Sequence, residues 1–195
     1  MRLFFAIRLT SSVIGRLAAL QKQLKSFDTN VKWVEEHNLH VTIKFLGETP
    51  RDKIILLKEI GTTVARHTKP FQMQIEKVGA FPNIKSPKVI YVAITHGLNE
   101  IKKLNETITC QLVKKQFSFD LKSFHPHITL GRVKKPLLDP ETLFSTINKE
   151  NQISIIQPAN SICLFESLLI PYKPPKYNLV FELPFLSTLE NHQLS

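Results

Sequence analysis

The sequence predicts an α+β fold built from two similar lobes, and three observations lead there. Strand-like and helix-like segments are mixed without strict strand–helix alternation. One short pattern, His40-Val41-Thr42-Ile43, recurs as His127-Ile128-Thr129-Leu130 a little under half the chain later. The length, 195 residues, suits one domain or two closely packed lobes and little more. No Gly-rich linker or low-complexity tract divides the chain, so residues 1–195 are read as a single bilobal domain, with a polar, mobile tail from about 186.

The elements follow in order. Residues 2–9 are an apolar run rich in aromatic and β-favouring types and read as a strand. Thr10, Ser11 and Ser12 offer capping oxygens, and Val13, Ile14, Leu17, Leu20 and Leu24 recur at helical spacing, so a helix runs over about 11–26. A short strand is expected at 31–34. Residues 39–46 alternate: Leu39, Val41, Ile43 and Phe45 fall on one face, His40, Thr42 and Lys44 on the other. Thr49 as cap and Pro50 as first helical residue open a second helix over about 50–67. Two strands at 71–79 and 87–95 flank a loop with Gly79, Phe81, Pro82 and Pro87. A third helix over about 97–115 carries Leu98, Ile101, Leu104, Ile108 and Leu112 on one stripe. A strand at 126–132 holds the second histidine motif, and a helix near 139–149 starts at the cap Asp139. Strands at 160–170 and 177–183 are separated by Pro171-Tyr172-Lys173-Pro174-Pro175, a rigid surface loop.

Composition narrows the function. Lys and Arg number 26 against 16 Asp and Glu, a net charge of +10 that favours polyanionic partners such as nucleic acid. The two cysteines, Cys110 and Cys163, have no CxxC spacing and read as free thiols in a reducing cytosol. Arg8 interrupts the N-terminal apolar run too early for a signal peptide, and no apolar stretch approaches the roughly 20 residues that cross a bilayer. A cytoplasmic protein with no membrane partner is expected. Gly-rich phosphate loops and a serine nucleophile elbow are absent.

The histidine pair carries the chemistry. Alternation places His40 with Thr42 on one strand face and His127 with Thr129 on another, each anchored by apolar neighbours in phase. If the strands approach, two imidazoles and two hydroxyls line one concave site. An unperturbed histidine titrates near pH 6.5, so one imidazole can be neutral while its twin is charged. The neutral one takes a proton from an attacking water and the charged one gives a proton to a leaving oxygen, each step contributing about 10²–10⁴-fold. The hydroxyls can donate to phosphate oxygens. That toolkit fits phosphodiester hydrolysis. A lone His-x-Thr is weak and is more often structural; two copies in matched settings are not. A zinc site of His40, His125 and His127 is the competing reading, but no Asp or Glu lies within two residues of any of them. No metal or cofactor is therefore expected. His37 and His67 lie in polar surroundings and read as surface residues, and the sequence offers His96 and His192 no partner.

The longer motifs around both histidines resemble a known family. Arg2-Leu3-Phe4-Phe5-Ala6-Ile7, Trp33, His40-Val41-Thr42-Ile43-Lys44-Phe45-Leu46-Gly47, Gly79-Ala80-Phe81-Pro82, Phe124-His125-Pro126-His127-Ile128-Thr129-Leu130-Gly131-Arg132, Glu166-Ser167-Leu168-Leu169 and Tyr177 look like the 2H phosphoesterase superfamily. Within it, they resemble the bacterial and archaeal RNA 2′,3′-cyclic phosphodiesterases, long called 2′-5′ RNA ligases. The resemblance implies two pseudo-symmetric lobes whose antiparallel sheets line a central cleft, with helices outside. It implies metal-free hydrolysis of a 2′,3′-cyclic phosphate at an RNA or oligonucleotide end to a 2′-phosphate, by a monomer. His40 and His127 become the acid–base pair, Thr42 and Thr129 the phosphate ligands, and Arg132 a further phosphate contact. Strict alternation puts Arg132 in phase with Ile128 and Leu130, away from His127, unless Gly131 marks a bulge. Phe5 or Phe45 could stack on a base, although both sit where core residues are the rule. His125 and the segment 171–175 depart from the family pattern, and the latter bears on the cleft rim. Cleavage or ligation of 2′-5′ linkages at the same site, or a non-catalytic RNA-binding module, are the alternatives.

Overall fold

The computed structural model describes residues 1–27, 30–119, 124–150, 153–169 and 174–186. The chain forms strand β1 (Arg2–Arg8), helix α1 (Ser11–Phe27), β2 (Val31–Trp33), β3 (His40–Glu48), α2 (Ile54–Arg66), β4 (Phe71–Phe81), β5 (Val89–His96), α3 (Leu98–Lys114), β6 (His127–Val133), α4 (Pro140–Glu150), β7 (Ile155–Ala159), β8 (Ser161–Leu168) and β9 (Lys176–Pro184).

Two antiparallel sheets result. One has the order β3-β1-β8-β9, the other β2-β6-β5-β4-β7. Each carries one His-x-Thr strand, and the sheets meet along β3 and β6. The two-lobed reading therefore holds, and its seam is the pair of motif strands.

Helices cover the sheets through the stripes that the periodicity marks. Val13, Leu17, Leu20 and Leu24 of α1 are buried, as are Leu57, Ile60 and Val64 of α2 and Ile101, Leu104, Ile108 and Leu112 of α3. Thr10 caps α1, its Oγ1 accepting the Val13 N–H at 3.4 Å. Asp139 caps α4, with its Oδ1 accepting the Thr142 N–H at 3.1 Å.

Two expectations about elements change. Thr49 does not cap α2: its N–H donates to the Met1 carbonyl at 2.7 Å and its hydroxyl to the Gly47 carbonyl at 3.2 Å, which ties it to the β1–β3 pair. A short 3₁₀ turn, Arg51–Lys53, follows Pro50, and the α-helix begins only at Ile54. The second change is β7, which has no counterpart in the sequence reading. It pairs with β4 at the edge of its sheet, with Pro158 opposite Gln72. An edge strand tolerates proline because its outer N–H groups need no partner strand, and that proline hides the strand from pattern reading. The anticipated tail beyond Leu186 and residues 171–173 of the Pro-rich loop lie outside the described residues.

Candidate active site

The four motif side chains converge. His40, Thr42, His127 and Thr129 line one cleft of about 190 Å³, together with Lys32, Trp33, Asn38, Phe45, Arg132, Lys134, Pro174, Pro175 and Tyr177. Pro174 and Pro175 place the end of the Pro-rich segment on its rim.

Each imidazole is held the same way. The His40 Nδ1–H donates to the carbonyl of Asn38 at 2.7 Å, and the His127 Nδ1–H donates to the carbonyl of His125 at 2.6 Å. A carbonyl only accepts, so Nδ1 carries the hydrogen and Nε2 is the atom left for chemistry. The His40 Nε2 lies 2.9 Å from the Thr42 hydroxyl, which donates to it in the neutral ring. Aromatic rings then bracket both histidines. Phe4 and Tyr177 lie 4.9 and 5.3 Å from the His40 ring, while Phe81 and Tyr91 lie 5.0 and 5.4 Å from the His127 ring, centroid to centroid.

That packing sets the charge state. Burial is the main cause that lowers the His40 pKa, from an ordinary 6.5 to about 4; the Asn38 carbonyl opposes it and the His127 charge adds to it. His127 is lowered too, first by burial, with the His125 carbonyl opposing and Arg132 and His125 contributing. The His127 effect on His40 places the two rings within electrostatic reach of each other. Burial also raises the Tyr177 hydroxyl, against the lowering effect of Arg132.

The two strands depart from strict alternation at matching places. β3 carries an extra residue opposite β1 at two places: Phe5 pairs with Lys44 and Ala6 with Thr42, so Ile43 is bulged, and Leu3 pairs with Gly47 and Phe4 with Phe45, so Leu46 is bulged as well. β6 matches the first of these opposite β5: Ile90 pairs with Gly131 and Tyr91 with Thr129, so Leu130 is bulged. A bulge slips the side-chain phase by one. Arg132 consequently returns to the cleft face, as a bulge beside Gly131 requires. Phe45 is the correction. It is not on the apolar face with Val41 and Ile43 but 57% exposed in the cleft, whereas the Lys44 ammonium lies 4.3 Å from the Phe119 ring centroid. Phe5 is fully buried and serves the core.

Two glycines make this packing possible. A Cβ on Gly79 would come within 2.8 Å of the Tyr91 ring, so Gly79 leaves the space in which Tyr91 seats against His127 and Phe81. A Cβ on Gly131 would meet Val31 at 2.6 Å and Trp33 at 3.1 Å.

The remaining histidines stay apart from the cleft. His125 is exposed; it gives the site a carbonyl, its ring lies 6.1 Å from that of Phe81, and it contributes to the lowered His127 pKa. His37 pairs with Glu35 at 3.3 Å, His67 leans on the Thr63 carbonyl, and His96 is exposed; His192 lies outside the described residues. Among the described residues no three His, Cys, Asp or Glu side chains are grouped to hold a metal ion. Cys110 and Cys163 are free thiols, and burial first, then Glu182, pushes Cys163 up to about 12. No described helix is long and apolar enough to cross a membrane. Tyr177, Asn38, Trp33, Lys32 and Lys134 were not singled out as site residues by the motif argument, since no motif spacing links them to the histidines.

Known proteins are similar to this chain in sequence and fold. A protein of Methanocaldococcus jannaschii named RNA 2′,3′-cyclic phosphodiesterase is 33% identical over 177 residues, 89% of this chain and 95% of the relative. The chain belongs to the RNA 2′,3′-cyclic phosphodiesterase family. A further family member so named, from Archaeoglobus fulgidus, is 36% identical over 69% of this chain and 74% of its own length. Residues 7–91 match the description LigT like Phosphoesterase. Among solved structures, a protein of Thermus thermophilus superposes with a TM-score of 0.80 at 27% identity, covering 95% of this chain and 98% of that one. Escherichia coli LigT complexed with 3′-AMP superposes with a TM-score of 0.77 at 20% identity, covering 95% of this chain and 98% of the other, which is a likeness of fold. The bilobal architecture is thus that of the family.

Proposed function

We propose that the protein is an RNA 2′,3′-cyclic phosphodiesterase that opens a terminal 2′,3′-cyclic phosphate to a 2′-phosphate by two-histidine acid–base catalysis, without a metal or cofactor, and that its two lobes act as one catalytic domain. One observation carries the reading: both imidazoles hold their Nδ1 hydrogens on backbone carbonyls, beside threonine hydroxyls, in a single cleft. The family names point to the same substrate.

Roles follow from the surroundings. His40, lowered to about 4, is neutral near pH 7 and acts as base. Substrate binding draws the Thr42 hydroxyl from Nε2 to a phosphate oxygen, which frees the lone pair. Nε2 then takes a proton from water as its oxygen attacks phosphorus. The P–O3′ bond breaks, and the protonated His127 gives its Nε2 hydrogen to O3′. A bound phosphate anion favours that charged form of His127. Thr129 and Arg132 hold the phosphate oxygens where charge develops. Solvent resets both rings. The net change is addition of one water across one P–O bond. Phe45, exposed beside the catalytic rings, offers its face to the terminal base.

The test is hydrolysis of a nucleoside 2′,3′-cyclic phosphate, and of an RNA oligonucleotide with the same end, in excess EDTA. Wild type should release the 2′-phosphate, and His127→Ala should not. A failure of wild type on both substrates removes this reading in favour of 2′-5′ linkages or a binding role.

A further inference from the structure

The bulges that deliver Phe45 and Arg132 are themselves held by two buried side chains outside the motifs. The carbonyl of the bulged Leu130 accepts from the Gln21 Nε2 at 2.8 Å, and also from the Val34 N–H at 2.8 Å. The same Gln21 nitrogen donates to the Val34 carbonyl at 2.8 Å, so both of its hydrogens are used. The carbonyl of the bulged Ile43 accepts from the Asn105 Nδ2 at 2.6 Å. Gln21 is 2% exposed and Asn105 9%.

The arrangement is reciprocal. Gln21 sits on α1, which follows β1 of the first sheet, yet it holds the motif strand of the second. Asn105 sits on α3, which follows β5 of the second sheet, yet it holds the motif strand of the first. A leucine at either helix position would bury more apolar surface. An amide there has a specific use: a bulge takes one residue out of the ladder, and its buried carbonyl must find a donor elsewhere.

We infer that Gln21 and Asn105 are positioning residues: Gln21 acts through the Leu130 bulge on Arg132, and Asn105 through the Ile43 bulge on Phe45, so the helix packed beside each motif strand, supplied by the other half of the chain, sets that strand's contribution to the cleft. Removing Asn105 takes the side-chain donor from the Ile43 carbonyl, and removing Gln21 leaves the Leu130 carbonyl with the Val34 N–H alone and takes the amide from the Val34 carbonyl; the strand lowers that cost by shifting phase or position. The residue three beyond the motif threonine then moves, while the histidine, anchored before the bulge, moves less.

A merely structural role predicts something different, namely equal losses whatever the downstream residue is. The inference rests on the proposed hydrolysis for its kinetic arm, so a second readout is independent of turnover. Gln21→Met, Arg132→Ala and the double variant are compared by kcat on a nucleoside 2′,3′-cyclic phosphate and by calorimetric affinity for inorganic phosphate. Misplacement of a charge-stabilising group should lower kcat about tenfold or more in Gln21→Met. In the Arg132→Ala background the same change should cost less than about twofold, because there is no guanidinium left to misplace. Affinity for phosphate should follow the same non-additive pattern. Asn105→Leu with Phe45→Ala forms the second cycle, read as KM. Gln21→Asn, which keeps a shorter donor, replaces Gln21→Met if that variant does not fold. Equal fold-losses in both backgrounds would overturn the inference. Wild type without turnover, but with non-additive phosphate binding, would overturn the proposed function and leave the clamps standing.

Discussion

Phe45 and Arg132 stand at the same place on two different strands, three residues beyond the motif threonine, and in each case a one-residue bulge turns the side chain into the shared cleft. The pseudo-symmetric scaffold thus presents an aromatic face from one lobe and a cation from the other. The two histidines alone would treat the lobes as equivalent. These two residues do not, and they give the cleft a direction.

The asymmetry should appear in kinetics. Phe45→Ala removes a stacking surface worth about 1–3 kcal/mol, so KM should rise about 5- to 150-fold while kcat changes little. Arg132→Ala removes a group aimed at developing charge, so kcat should fall about 10²–10³-fold. Steady-state analysis of both variants on one cyclic nucleotide separates the two; identical effects on kcat and KM would show that the residues do not divide the work this way.

The pH–rate profile should be displaced to the acid side. His40 must be neutral and His127 charged. Activity falls as pH drops through about 4, where His40 takes a proton, and falls as pH rises through the His127 value, which lies below 6.5. For the free enzyme, kcat/KM should therefore peak between about 4 and 6.5. A peak above pH 7 would mean that His127 is not the proton donor.

Stability should respond to the same burial. His40 has a folded-state pKa near 4 and an unfolded value near 6.5, so the unfolded chain binds the proton first. Its neutral form is fully compatible with the fold above pH 6.5, and stability is lost as pH falls toward 4. Urea unfolding at several pH values should show this slope in wild type and a shallower one in His40→Gln. Parallel slopes would place the linkage on other groups.

Gly79→Ala should damage a site it never touches. Its Cβ would meet the Tyr91 ring at 2.8 Å, and the ring can yield only against Phe81, stacked at 4.3 Å, or His127. Overpacking of this kind costs about 1–3 kcal/mol. A fall in Tm of a few degrees, with a larger fall in kcat than the unfolded fraction explains, is the expected result from calorimetry and single-turnover kinetics. An unchanged kcat would show that the Tyr91 ring does not position His127.

What the sequence determined by itself is what depends on near neighbours along the chain. Period-two alternation put His40 with Thr42 and His127 with Thr129, and period 3.6 marked the buried stripes of α1, α2 and α3, because side-chain direction within an element follows from backbone geometry alone. The tertiary structure decided everything past the threonines. Whether a strand keeps its alternation or bulges depends on donors for the displaced carbonyl, and those lie far along the chain: Asn105, 62 positions from Ile43, and Gln21, 109 positions from Leu130, joined there by the Val34 N–H. Phe45 therefore left the core, Arg132 entered the cleft, and His40 acquired its low pKa from rings on β1 and β9 that no local pattern could place beside it.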